Sequence, residues 1–257
     1  MPETLLALKG VNTHIGHYHI LHGVDFEVRK NELTMLLGRN GAGKTTCLRT
    51  IMGLWRASAG TIELEGRDIS KLDTPAVARL GVGYVPEAMG IFAGLTVREN
   101  LLLAARSGPL DEARLDWIFR YFEALKKFWH LPAGNLSGGQ KQMLAISRAI
   151  VEPRKLVLVD EPTKGLAPSI INNLIAAFAE LKKTDTTILM VEQNFHAARS
   201  LGDSVAVMDS GRIVHAGRMA ALAADEALQN RLLGLSLEAQ QCRRSASTSF
   251  RSSCWRR

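Results

Sequence analysis

Residues 33 to 46 read LTMLLGRNGAGKTT: an apolar stretch runs straight into a loop with glycines at 38, 41 and 43, which ends on Lys44, Thr45 and Thr46. The spacing from Gly38 through Gly43 to Lys44 and Thr45 is the G-x-x-x-x-G-K-T pattern, set between an apolar strand and a helical run as that pattern requires. Glycines let such a loop curl until successive backbone N–H groups and the first turn of the next helix converge on phosphate oxygens. The cradle runs over Gly38, Arg39, Asn40, Gly41, Ala42, Gly43, Lys44, Thr45 and Thr46. Lys44 can reach the outer phosphates and Thr45 can ligate Mg²⁺. This predicts a nucleoside triphosphate site and leaves kinase, GTPase, ATPase and helicase open.

The rest of the 257 residues, 46% hydrophobic and 22% charged, has ordinary globular proportions. The longest apolar runs, such as LLLAA at 101 to 105, fall far short of the roughly 20 residues of a membrane-spanning helix. The N-terminus, MPETLLALKG, lacks the basic flank and apolar core of a secretory signal, which favours a cytoplasmic location. Cys47, Cys242 and Cys254 have no metal-ligand spacing and form no disulfide framework. The net charge is +7, but residues 238 to 257 hold five Arg against one Glu, so the remainder carries only +3. That mild excess reads as a solvated surface, and no nucleic-acid partner is expected.

Short β-rich segments come first (TLLALKG, VDFEV at 24 to 28, LTMLL at 33 to 37, TIELEG at 61 to 66). Between about 96 and 150 the spacing turns helical, in VRENLLLAAR, DEARLDWIFRYFEALKKF and GGQKQMLAISRAI, which reads as a helical insertion. Strand and helix then alternate through KLVLVD, PSIINNLIAAFAELKK, TTILMV, FHAARSLG and SVAVMD, with GRIVHAG as a hairpin partner. Fully apolar alternating strands predict a parallel sheet covered on both faces, an α/β fold. The Ser/Arg-rich tail, residues 236 to 257, shows no periodicity and is expected to be unstructured.

A second carboxylate-bearing strand narrows the chemistry. In KLVLVDEP, residues 155 to 162, Asp160 leaves the strand where it can hold the Mg²⁺ shell, and Glu161 is placed to polarise an attacking water. LSGGQ, residues 136 to 140, adds another phosphate grip: Ser137 can cap the next helix while Gly138 and Gly139 leave its N-terminus bare.

GRNGAGKTT, LSGGQ and LVLVDEP, in this order, resemble the ATP-binding cassette (ABC) ATPases over about residues 4 to 235. The resemblance implies a P-loop (RecA-like) core sheet with an N-terminal antiparallel β subdomain and an α-helical subdomain inserted over about 88–150, in a single domain over 1–235. It implies a head-to-tail dimer in which the P-loop of one subunit and Ser137, Gly138, Gly139 and Gln140 of the other enclose each ATP. Glu87, in VGYVPEAMGIFAGLTVREN, stands where the family contacts the metal and water after the strand that enters the helical subdomain. With EPTKGLAP at 161 to 168 and VEQN at 191 to 194, this resembles the ATPase subunits of importers for branched-chain amino acids or related amides such as urea. That implies permease subunits as partners and a peripheral place on the cytoplasmic face of the inner membrane. A soluble ABC ATPase acting on ribosome or DNA, and a P-loop kinase, are the alternatives. The first tends to carry two cassettes or a long coiled-coil insertion, and the second leaves LSGGQ unexplained.

The family's adenine-stacking aromatic falls at Ile15 in THIGHYHIL, where an apolar face contact, or one from Tyr18, takes its place. His14, His17, His19 and His22 read as a polar turn between strands more readily than as a metal site. The aromatics from Trp117 to Trp129 read as core, with a groove for a membrane partner's helix as the sharper alternative. The family ends the strand TILMV on a histidine that touches the γ-phosphate; here Gln193 holds that position, and His196, a helical turn on, is expected to point away.

Overall fold

The computed structural model describes residues 3–105 and 108–234. A long hairpin opens the chain: β1 (Thr4–Ile15) and β2 (Tyr18–Arg29) pair antiparallel. Next come β3 (Leu33–Leu37), α1 (Lys44–Ile51), β4 (Ala57–Leu64), β5 (Arg67–Asp68), α2 (Thr74–Arg79) and β6 (Val82–Val85). A helical block holds α3 (Val97–Leu102), α4 (Glu112–Tyr121), α5 (Glu123–Lys127) and α6 (Gly138–Ile150). Then β7 (Leu156–Asp160), α7 (Pro168–Leu181), β8 (Thr187–Val191), α8 (Phe195–Leu201), β9 (Ser204–Asp209), β10 (Arg212–Arg218), α9 (Met219–Ala224) and α10 (Glu226–Leu233) complete the described fold.

Among the described residues the strands form two sheets. One is antiparallel, in the order β2-β1-β4-β5; the other runs β10-β9-β3-β8-β7-β6, parallel except for the β9–β10 hairpin. Side chains two apart share a face of a strand, and the larger sheet uses both faces. Leu33, Met35, Leu37, Val157, Val159, Ile188, Met190, Val205 and Val207 join a core with the helical block and α7. Leu36, Leu156, Leu158, Leu189, Val191, Ala206 and Met208 join the second core, with α1 and the antiparallel sheet. That double burial explains why β3, β7 and β8 are buried at every position and carry one polar residue each, Thr34, Asp160 and Thr187, rather than alternating.

The structure corrects two local expectations. The stretch 112 to 127 is two helices, because Phe122, with φ −125° and ψ 58°, breaks the run while its ring is buried. The histidine-rich stretch is mostly strand: His14 lies in β1 and His19 and His22 in β2, and Gly16, at φ 60°, makes the tight turn between them. The imidazoles of His14 and His19 stack with centroids 4.1 Å apart, while His14 Nδ1 meets Ser58 and His19 Nε2 meets Asn12. Among the aromatics of the helical block Phe122 is buried and Trp117, Phe119, Tyr121, Phe128 and Trp129 pack partly buried against the core. No helix among the described residues is long and apolar enough to cross a membrane.

Candidate nucleotide site

The strand order places the site. β8 lies between β3 and β7, all three parallel, and the register sets Leu36, Val191 and Asp160 in one row. Beyond that row, at the carboxyl edge where α/β sheets bind ligands, the chain continues as Gly38 from β3, Gln193 from β8 and Glu161 from β7. Three segments distant in sequence therefore meet at one edge.

The loop from Gly38 follows the glycine logic of the sequence. Gly38 has φ 146°, and a Cβ there would lie 2.1 Å from the Met208 carbonyl oxygen; Gly43, at φ 104°, opens α1. Lys44 is buried and folds over its own loop, its ammonium donating to the carbonyls of Gly38 (2.9 Å) and Arg39 (3.0 Å). Burial pulls its pKa below the usual lysine range, against the pull of Glu161 and Asp160. The Thr45 hydroxyl donates to Asp160 Oδ1 (3.1 Å), and the Tyr84 phenol lies 3.5 Å from Oδ2. Burial pushes Asp160 up to about 6, partly offset by the Thr45 hydrogen bond, with the Glu161 charge adding to the rise.

Glu161 is a strained, buried carboxylate. Its φ of 48° is costly for a residue with a Cβ, and its N–H holds the Val191 carbonyl at 3.0 Å. Oε1 accepts from the Gln193 side-chain amide and lies 4.0 Å from the Lys44 ammonium. Oε2 is buried, without a hydrogen bond among the described residues, 3.4 Å from the Lys164 ammonium. Lys164 pairs more closely with Glu87 Oε1, at 2.6 Å. Lys44, Thr45, Glu87, Glu161 and Lys164 all line one cavity of about 230 Å³ over the loop.

Glu192 is a residue the sequence reading passed over. It is buried, and its carboxylate accepts four hydrogen bonds: from Thr163 N (3.1 Å) on Oε1, and from the Thr163 hydroxyl (3.0 Å), Gln193 N (3.0 Å) and Asn194 N (3.1 Å) on Oε2. Burial raises its pKa against these hydrogen bonds. An acidic residue directly behind the apolar run Ile188 to Val191 was the available signal. Asn194 caps α8 through Ala197 N, and His196 is exposed on that helix, outside the walls of the cavity.

Ser137 caps α6 with a capping box shared with Gln140. Ser137 and Gly138 are exposed, a Cβ on Gly138 would meet nothing, and one on Gly139 would press on Ile170 at 3.2 Å. This N-terminus is not part of the cavity wall. Ile15 is half-buried and Tyr18 is 76% exposed; neither lines the cavity, whose β2 wall is Ile20. The basic tail lies outside the described residues.

The residues fit a metal-bound polyphosphate. Thr45 and Asp160 bring oxygens together beside the loop, Gly38 leaves no room for a side chain, and among the described residues the Lys44 ammonium donates to carbonyls of the loop it would share with a phosphate.

A family model described as ABC transporter matches residues 21–164, more than half the chain. The high-affinity branched-chain amino acid transport ATP-binding protein BraG of Pseudomonas aeruginosa is 38% identical over 90% of this chain and 100% of its own length. The probable branched-chain amino acid transport ATP-binding protein LivF of Archaeoglobus fulgidus is 35% identical over 90% and 99%. A solved ATP-binding subunit of an ABC transporter superposes with a TM-score of 0.76 at 30% identity, over 94% of this chain and 100% of that one.

Proposed function

This chain belongs to the ABC transporter ATPases, a family that hydrolyses ATP, and from that premise we propose that it is the ATP-hydrolysing subunit of a membrane importer for branched-chain amino acids or related amides such as urea. The observation that carries the ATPase part is the meeting of Lys44, Thr45, Asp160 and Glu161 at one sheet edge, with Glu161 4.0 Å from Lys44. The cargo rests on the names of the relatives and on VEQN and EPTKGLAP.

In this reading the loop N–H groups and Lys44 hold the β- and γ-phosphates. An ammonium has three donors; two of those on Lys44 are on loop carbonyls, which leaves one to point at phosphate. Thr45, Asp160 and Glu87 would hold Mg²⁺, which would supply positive charge beside the phosphate oxygens. Glu161 accepts a hydrogen bond from the attacking water and draws off its proton. The Gln193 amide carries two N–H donors: one holds Glu161 and the other is available to a γ-phosphate oxygen.

The exposed, Ser137-capped α6 N-terminus lies outside the cavity of its own chain. A second subunit, arranged head to tail, would bring its Ser137 to Gln140 over this ATP. Closure on ATP and opening after hydrolysis would then drive permease subunits, with the chain held peripherally on the cytoplasmic face of the membrane. Affinity isolation of the chain from detergent-solubilised native membranes tests this. Integral membrane subunits are expected to co-isolate; recovery with ribosomes or DNA instead would contradict the assignment.

A further inference from the structure

We propose that Glu192 is a positioning residue for hydrolysis: its buried carboxylate pins the turn after Glu161 and the turn that carries Gln193 to each other, and so sets the Gln193–Glu161 contact. The inference rests on the reading of Glu161 and Gln193 as hydrolytic residues, and it assigns a role to a side chain that does not reach the cavity over the P-loop.

The geometry is that of a clamp. Glu161 and Gln193 follow neighbouring strands, and a contact between their side chains needs both strand ends held at a fixed offset. Glu192 takes donors from both sides. Thr163, two residues beyond Glu161, gives its N–H and its hydroxyl; Gln193 and Asn194 give their N–H groups. A carboxylate can accept all four because it has two oxygens and no proton to place. A glutamine cannot: with its carbonyl oxygen at the crowded Oε2 position, its NH₂ faces the Thr163 N–H. Hydrogen bonds to an ionised acceptor in a buried setting are the strong ones. The Glu161 turn has reason to need the clamp, because its φ of 48° is held in place by surrounding contacts.

The test is steady-state ATP hydrolysis by the full chain and its folded variants Glu192→Gln, Gln193→Ala, the double variant and Thr163→Val. Glu192→Gln is expected to lower kcat about tenfold, the worth of one hydrogen bond to a charged group, with the KM for ATP within about twofold because the P-loop stands on other elements. The double variant is expected to be no slower than the slower single variant, since both act on one contact. Thr163→Val, which removes one donor at nearly constant volume, is expected to lower kcat about threefold and decides the matter should Glu192→Gln fail to fold. Wild-type kcat in folded Glu192→Gln, or in Thr163→Val when that variant has to decide, overturns the proposal, as do losses that multiply in the double variant. A wild-type chain with no ATP hydrolysis would instead overturn the ATPase reading beneath it.

Discussion

Asp160 is fully buried, held by the Thr45 hydroxyl, and pushed by burial to about 6. Its carboxyl therefore binds a proton more tightly in the folded chain than in the unfolded one, where the ordinary value is 3.8. The sign follows: without nucleotide, ionised Asp160 costs stability fully above about pH 6, and the cost fades as pH falls towards 4. Asp160→Asn removes the charge and keeps an acceptor for Thr45. It should stabilise the nucleotide-free chain by about 1–3 kcal/mol at pH 7, a rise of roughly 5 °C in Tm, and by less at pH 5, while hydrolysis is lost. Thermal melts at the two pH values check the sign. Gln193 and His196 make a second pair of predictions. Gln193→Ala should slow hydrolysis about tenfold or more, because it removes the hydrogen bond on Glu161, whereas His196→Ala should leave the rate unchanged; the reverse pattern would refute the register. In the sequence, Gln193 was legible as a candidate, counted from the end of the strand TILMV on the family resemblance, and the structure adds its contact with Glu161. Glu192 was not, because a lone acidic side chain reads as solvent-facing and its partner Thr163 stands 29 residues upstream.

Helix α6 is the element that joins stability to what we propose is the second half of the nucleotide site. Its amphipathic face buries Met143, Leu144, Ala145, Ile146 and Ile150, while its N-terminus faces outward. Ser137→Ala removes the cap on Gln140 N but leaves the return bond, from the backbone N–H of residue 137 to Gln140 Oε1, possible. The expected cost is about 1 kcal/mol, roughly 2–4 °C in Tm, together with a loss of ATP hydrolysis larger than so small a destabilisation explains; a melt and a rate on the same sample separate the two. Such caps were readable because their chemistry is local. The break at Phe122 was not, since helical spacing runs on through a residue whose buried ring decides the turn. Helices α9 and α10 also escaped: MAALAA has almost no polar face, and α10 only half-buries Leu228, Leu232 and Leu233 against the core, an apolar stripe too short to stand out in the sequence.

At the scale of the whole molecule, strand order turns a set of motifs into a site. β7 and β8 could be read as apolar strands, but their placement beside β3 in the order β3-β8-β7 is a tertiary fact. That order sets the Gln193 segment between the P-loop and Glu161. The signature helix lies outside the cavity of its own chain, so the proposed cycle needs two copies of a cassette, this chain with itself or with a relative. The central claim is that Glu161 drives hydrolysis at this site, and the direct measurement is Mg²⁺-dependent ATP turnover by the purified wild-type chain and by Glu161→Gln, with bound nucleotide quantified in both. The expected result is turnover in the wild type and at least about a hundredfold loss in Glu161→Gln, which still binds ATP and accumulates as a closed, nucleotide-bound dimer. Wild-type turnover in Glu161→Gln would contradict the account.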